Sequence, residues 1–408
     1  MRFDTALREY VRTKILDIGS ADLVVGIPTY NSESTVAHVL RTVADGLLKH
    51  FPGKKGVVLV SDGGSLDYTR EVVQKIKLPG GVQRIIFIYR GLPGKGTALR
   101  AVFEAAVALR VGACAVFDSD LRSITPEWVE RMVNPVLTGF DFVSPYYVRH
   151  KYDGTITNNI AYSLTRSLYG RRVRQPIGGD FGFSPKLAEY FTREYVWESD
   201  VARFGIDIWM TTSALCEGFQ VCESWLGAKI HDPKDPAASL GPMFRQVVGT
   251  LFELMRKYES IWSRTNGSTS VPLLGVPLTA EAPVVEVDVG RLLRAFRQGL
   301  VHFGDVWKNV LEPENYGEWR ALGEPAPVAA ELWVRTVYDF ASAHRDWDED
   351  RGALVEMMTP LYFRRIASFI HETRDMTTEE AEAVIERQAV LFEENKPYLM
   401  RRCGIAAG

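Results

Sequence analysis

A mostly parallel α/β sheet covered by helices on both faces is the fold class predicted for residues 20–125 of this 408-residue sequence. Short apolar runs alternate there with helix-periodic segments, the pattern of successive strand–helix–strand units. Each run ends in a polar motif: PTYN, SDGG, GLPGKG or DSD. Ligands of such sheets bind beyond the carboxyl ends of the strands, so these motifs should converge on one site.

The first strand is read at 23–31 (LVVGIPTYN), an apolar run broken at Pro28. Asn31 or Ser32 then caps a helix with Val36, Val39, Leu40, Val43 and Leu47 on one face. A second strand occupies 56–61, Gly63 and Gly64 turn the chain, and a helix is placed near 68–77. The third strand, at 84–89, leads into GLPGKG, which opens the helix TALRAVFEAAVAL. ACAVF at 113–117 is the fourth strand and runs directly into DSD; Thr125 and Pro126 start the next helix.

Residues 140–236 mix strand-like runs with aromatics and glycines, and helical periodicity sets in at about Met243. The stretch 263–290, rich in Ser, Thr, Gly, Pro and Val, reads as a long loop, and 291–403 is again helical. Thr377 and Glu380 have the spacing of a capping box. The expected organisation is a domain at 1–240, divided near residue 125, and a helical region at 241–408.

A formal net charge of −3 gives no electrostatic case for nucleic acid or acidic membranes. The N-terminal segment alternates charged and apolar residues, unlike a signal peptide, and no stretch is long and uncharged enough to span a bilayer. The four cysteines lack CxxC spacing, which fits reduced thiols in the cytoplasm.

Asp118 and Asp120, two residues apart on an extended chain, would point the same way and could hold a hard divalent ion. Asp62 and Gly63 follow the second strand, where the carboxylate either accepts a hydrogen bond from a base or caps a turn. The glycines, Lys95 and the helix start of GLPGKG suit an anion, although the spacing is not that of a Walker loop. His231, in KIHDPKDP, is either structural or a metal ligand, and the acidic pair favours the ligand role. Tyr147 and Arg149, with Arg171, Arg172 and Arg174, are either solvated or bind an anionic partner.

Together, IPTYN, VSDGGSLD, PGKGTAL, FDSDL, QPIGGDFGFS, FGID and KIH give a sequence that resembles, over 20–235, the retaining GT-A glycosyltransferases that make glucosyl-3-phosphoglycerate, mannosylglycerate and glucosylglycerate. The resemblance implies a GT-A domain at 1–240, with its nucleotide-sugar half at 20–125 and its acceptor half at 126–240. Pro28, Tyr30, Asp62, Gly63 and Lys95 would surround the nucleotide; Asp120, His231 and Asp118 would serve a Mg²⁺ or Mn²⁺ ion. Gly178, Gly179 and Asp180 would line the sugar and acceptor, and Asp207 would face the reacting hydroxyls. Asp180 stands where the family usually has Glu, and FGIDIW is closer to the mannosylglycerate type.

The expected reaction moves a hexose, with retention, from GDP-mannose, UDP-glucose, GDP-glucose or ADP-glucose to D-glycerate or 3-phosphoglycerate. Arg149 and Tyr147 would bind the acceptor, in a cytoplasmic homodimer. The rivals are an inverting GT-A transferase and a sugar-phosphate nucleotidyltransferase. The first lacks QxxRW and membrane helices here; the second would place a glycine-rich loop where this chain has PTYN.

Overall fold

The computed structural model describes residues 3–231, 236–277, 281–323 and 326–406. The chain forms two compact units: Met1–Val148, Ile177–Pro233 and Val271–Ala282 in one, and Arg149–Pro176, Lys234–Ser270 and Pro283–Gly408 in the other. The expected boundary near 240 is corrected. Segment 149–176 belongs with the C-terminal helices, and 271–282 belongs with the sheet.

The first unit is built on eight strands: β1 (Leu23–Thr29), β2 (Gly56–Asp62), β3 (Val82–Ile88), β4 (Ala113–Val116), β5 (Phe142–Val148), β6 (Phe181–Phe183), β7 (Val221–Ala228) and β8 (Leu273–Leu274). Their order across the sheet is β8-β7-β5-β6-β4-β1-β2-β3. Every pairing is parallel except those of β6, which runs antiparallel to both β4 and β5. From Leu23 to Pro28, β1 is apolar on both sides because helices cover both faces, so it reads as a continuous run rather than an alternation. Its residues pack with Val36, Val39, Leu40, Val43 and Leu47 of the helix Val36–His50 and with Trp128, Val129, Met132 and Val133 of the helix Pro126–Leu137. The expected apolar face of the first of these helices is thus the buried one.

Three local expectations change. The helix after β1 starts at Val36, with Thr35 rather than Asn31 or Ser32 at its cap position, because Asn31 and Ser32 are drawn into loop contacts described below. β4 ends at Val116, so Asp118 and Asp120 lie in a turn where the two-residue period of a strand does not operate. The expected loop at 263–290 contributes β8 to the sheet, and Thr269–Ser270 to a small ribbon. Its residues 278–280, and the proline-broken stretch 232–235 after His231, lie outside the described residues.

The second unit is helical: Tyr162–Tyr169, Pro236–Lys257, Val289–Val310, Ala330–Asp346, Arg351–Thr373 and Thr378–Glu394 are its main helices. Thr377 and Glu380 form the expected capping box, and Ala381, Val384, Ile385 and Phe392 are buried. A π-helical turn at Thr157–Ala161 displaces backbone carbonyls from the usual ladder. Trp333 donates to the Asn159 carbonyl at 2.6 Å and Gln388 to that of Asn158 at 3.0 Å. Arg166 joins the same packing, meeting Glu386 at 2.7 Å and Glu393 at 2.8 Å. No helix among the described residues is long and apolar enough to cross a membrane.

Candidate functional site

The polar ends of β1, β2 and β4 are sewn together by short side chains. Asn31 takes a left-handed backbone conformation (φ 50°), which its amide supports by accepting from the Leu66 N–H at 2.8 Å. Ser32 and Ser119 share a hydroxyl–hydroxyl hydrogen bond of 2.8 Å, and Thr35 donates to the Ser119 carbonyl at 2.8 Å. PTYN and DSD are thereby locked to one another. Tyr30 is left 60% exposed beside Gly63.

Asp62 is fully buried. Its carboxylate accepts from Thr29 Oγ1 (3.0 Å), the Gly64 and Ser65 N–H groups (2.9 and 2.8 Å) and Ser65 Oγ (2.6 Å). Of its two expected roles, that of holding the turn matches this geometry, and a direct contact with a base does not.

GLPGKG also behaves differently from a free anion cradle. The Gly96 N–H donates to the Arg203 carbonyl at 3.1 Å, and a Cβ on Gly96 would lie 1.8 Å from the Val201 carbonyl oxygen. The glycine admits the 201–203 backbone against the helix start Lys95–Ala108. That leaves Lys95 as the part of the motif directed at the site.

Lys95 stands among carboxylates. Its Nζ lies 2.9 Å from Asp118 Oδ1, 3.2 Å from Asp207 Oδ1 and 2.9 Å from the Gly179 carbonyl oxygen. Burial works against its ammonium, but Asp118 and Asp207 outweigh burial and hold its pKa above the ordinary value. Asp207, in the first turn of the helix Ile206–Cys216, is raised above the usual carboxylate range by burial, with Lys95 opposing.

A second lysine completes the cluster. Lys229 Nζ lies 3.0 Å from Asp118 Oδ2, 2.8 Å from Asp180 Oδ2 and 2.9 Å from the Gly178 carbonyl oxygen. Asp180 is completely buried; it accepts from the Asp118 N–H at 2.7 Å and from the Tyr147 hydroxyl. Burial raises its pKa, and Lys229 opposes that rise. Gly179 is required here: at φ 94°, a Cβ would lie 2.4 Å from Asp118 Oδ2 and 2.7 Å from Lys229 Nζ.

The segments that carry His231 and Asp120 run side by side. An isolated antiparallel bridge pairs Leu121 with His231, and the Arg122 N–H donates to the Ile230 carbonyl at 2.8 Å. The strand end bearing His231 therefore lies alongside the end of the DSD turn. Among the described residues, no group of three or more His, Cys, Asp or Glu side chains is placed to hold a metal ion.

The geometry bears on several of the expected site residues. Both Asp118 oxygens face lysines. Asp180, with no exposed surface, supports Asp118 rather than facing a substrate. Tyr147 is 3% exposed and spends its hydroxyl on Asp180, so it is not placed to bind an acceptor. Arg174 is paired with Glu382 and Asn158, while Arg171 and Arg172 meet Thr269 and Ser268. Arg149 lies in the second unit, with its Nη1 3.3 Å from Asp153. Sequence reading missed Lys229 and Ser119. No local signal marked Lys229, since its three acceptors come from other segments.

The loops after β3, β4 and β7 thus gather Lys95, Asp118, Asp120, Lys229 and His231 at one edge of the sheet. The family model described as glycosyl transferase family 2 matches residues 24–189, and that stretch is a glycosyltransferase domain. No curated protein matches the chain. Among solved structures, it is similar to glucosyl-3-phosphoglycerate synthase from Mycobacterium tuberculosis in complex with Mn²⁺, uridine diphosphate and phosphoglyceric acid, at 23% identity and TM-score 0.46, over 59% of this chain and 82% of that one. It is also similar to the same enzyme with Mg²⁺ and uridine diphosphate, at 24% identity and TM-score 0.47, over 59% and 83%.

Proposed function

We propose that this protein transfers a hexose, with retention, from a nucleoside-diphosphate sugar to D-glycerate or 3-phosphoglycerate. The observation that carries the reading is the approach of His231 to the DSD turn through the Leu121–His231 bridge, next to the Lys95–Asp118–Asp207 cluster. A diphosphate bound beyond the strand ends would pass this segment.

Asp120 and His231, a carboxylate and an imidazole on adjacent segments, would hold the Mn²⁺ or Mg²⁺ ion. Bound there, the ion would act as a Lewis acid on the leaving diphosphate. Tyr30 would stack on the base and Pro28 would wall its pocket, while Asp62 and Gly63 shape the turn beneath. Gly178 and Gly179 bring backbone close to the sugar. Asp207, an unusually basic carboxylate held by Lys95, orients or deprotonates the acceptor hydroxyl. A homodimer in the cytoplasm is the proposed state.

Calorimetric titration with UDP, GDP and ADP, with and without Mn²⁺, tests the reading. Binding of one diphosphate that strengthens at least tenfold with Mn²⁺ is expected. Absence of binding to all three overturns it.

A further inference from the structure

Three loops from distant parts of the sequence meet at one buried ammonium. Lys229 follows β7, Asp118 follows β4, and Gly178 and Asp180 precede or begin the turn into β6. The Lys229 side chain is 4% exposed, and its three N–H donors match three acceptors at 2.8–3.0 Å. Its ammonium also lies 5.2 Å above the Tyr147 ring, whose hydroxyl is bound to Asp180. Two residues further on, His231 is bridged to Leu121, next to Asp120.

We propose that Lys229 is a positioning residue for sugar transfer: it sets the spacing between the DSD turn, the Gly178–Gly179 backbone and the strand end that carries His231. The inference rests on the functional reading above and adds a residue to it. Charge balance alone does not account for the arrangement. Neutralising Asp180 needs one contact, whereas the ammonium is spread over Asp118, after β4, and over Asp180 and the neutral Gly178 carbonyl in the loop before β6. A compact ammonium with three donors suits that junction. A planar guanidinium, longer and with fixed donor directions, does not.

Lys229→Arg separates charge from position, because it keeps the cation and alters the geometry. The native enzyme is first shown to bind a nucleoside diphosphate and transfer sugar; failure there removes the functional reading itself. With that in hand, Lys229→Arg is expected to retain diphosphate affinity within about threefold while kcat falls at least tenfold. A folded Lys229→Arg protein with native kcat overturns the proposal. If that variant does not fold, Lys229→Cys is assayed before and after alkylation with 2-bromoethylamine, which rebuilds an ammonium at nearly lysine length. Recovery to within about threefold of identically treated native enzyme is expected. No recovery in a protein whose circular dichroism matches the native enzyme overturns the proposal.

Discussion

Ser32 and Ser119, 87 positions apart in sequence, are joined by a buried 2.8 Å hydrogen bond between their hydroxyls. The bond fastens the loop after β1 to the turn after β4. Single replacement by Ala leaves one buried hydroxyl without its partner and should cost about 1 kcal/mol. The double replacement should cost less than the sum of the two. A double-mutant cycle by denaturant unfolding checks this, with a coupling of about 0.5–1.5 kcal/mol expected.

Asp62 offers a stronger test of loop construction. Asp62→Ala strips four hydrogen bonds from the Thr29–Ser65 turn and leaves buried donors unsatisfied. A stability loss of roughly 2–4 kcal/mol is expected, together with weaker nucleotide binding, since Tyr30 and Gly63 sit on that turn. Chemical unfolding and calorimetry on the same variant measure both. Weaker binding with unchanged stability would return Asp62 to the role of a base ligand.

The helical unit should be acid-sensitive through His344. Burial pushes this imidazole down to about 4, with Glu253 opposing and Arg351 and Arg256 reinforcing; its ring packs edge-on against Phe252. Between pH 6.5 and about 4 the unfolded chain takes up a proton that the folded state refuses, so stability falls as pH drops through that window. The contribution is on the order of 3 kcal/mol across the whole window. Thermal unfolding at pH 7 and pH 5 should show a smaller drop for His344→Leu than for the native protein.

The sheet was legible in the sequence because β1, β2 and β4 are buried on both faces and read as unbroken apolar runs bounded by turn residues. The rim was legible as a set of motifs, but not as contacts. Asp118 and Asp180 lie 62 positions apart, and nothing local reveals that one backbone N–H meets the other's carboxylate. Lys229 was hidden because a lysine's usual place is solvent, and only the fold shows three acceptors around it. The division into units was missed because 149–176 has no compositional break; its attachment to the C-terminal helices runs through pairs such as Arg166–Glu393, 227 positions apart.

The proposed metal donors make a distinct prediction. Asp120→Ala and His231→Ala should each reduce turnover at least a hundredfold, with the proteins still folded. EDTA should silence the native enzyme until Mg²⁺ or Mn²⁺ is restored. Steady-state rates across a metal titration check both, and full activity in EDTA would remove the ion from the account.

The product itself tests the central claim most directly. Native enzyme, Mn²⁺ and a matched nucleotide sugar are incubated with D-glycerate or with 3-phosphoglycerate, and the anomeric proton of the new glycoside is read by NMR before any mutarotation of free sugar intervenes. The account predicts an α-linked hexosyl glycerate or hexosyl phosphoglycerate, formed with the donor's own configuration. A β-linked product, or transfer to neutral or lipid alcohols alone, would contradict it.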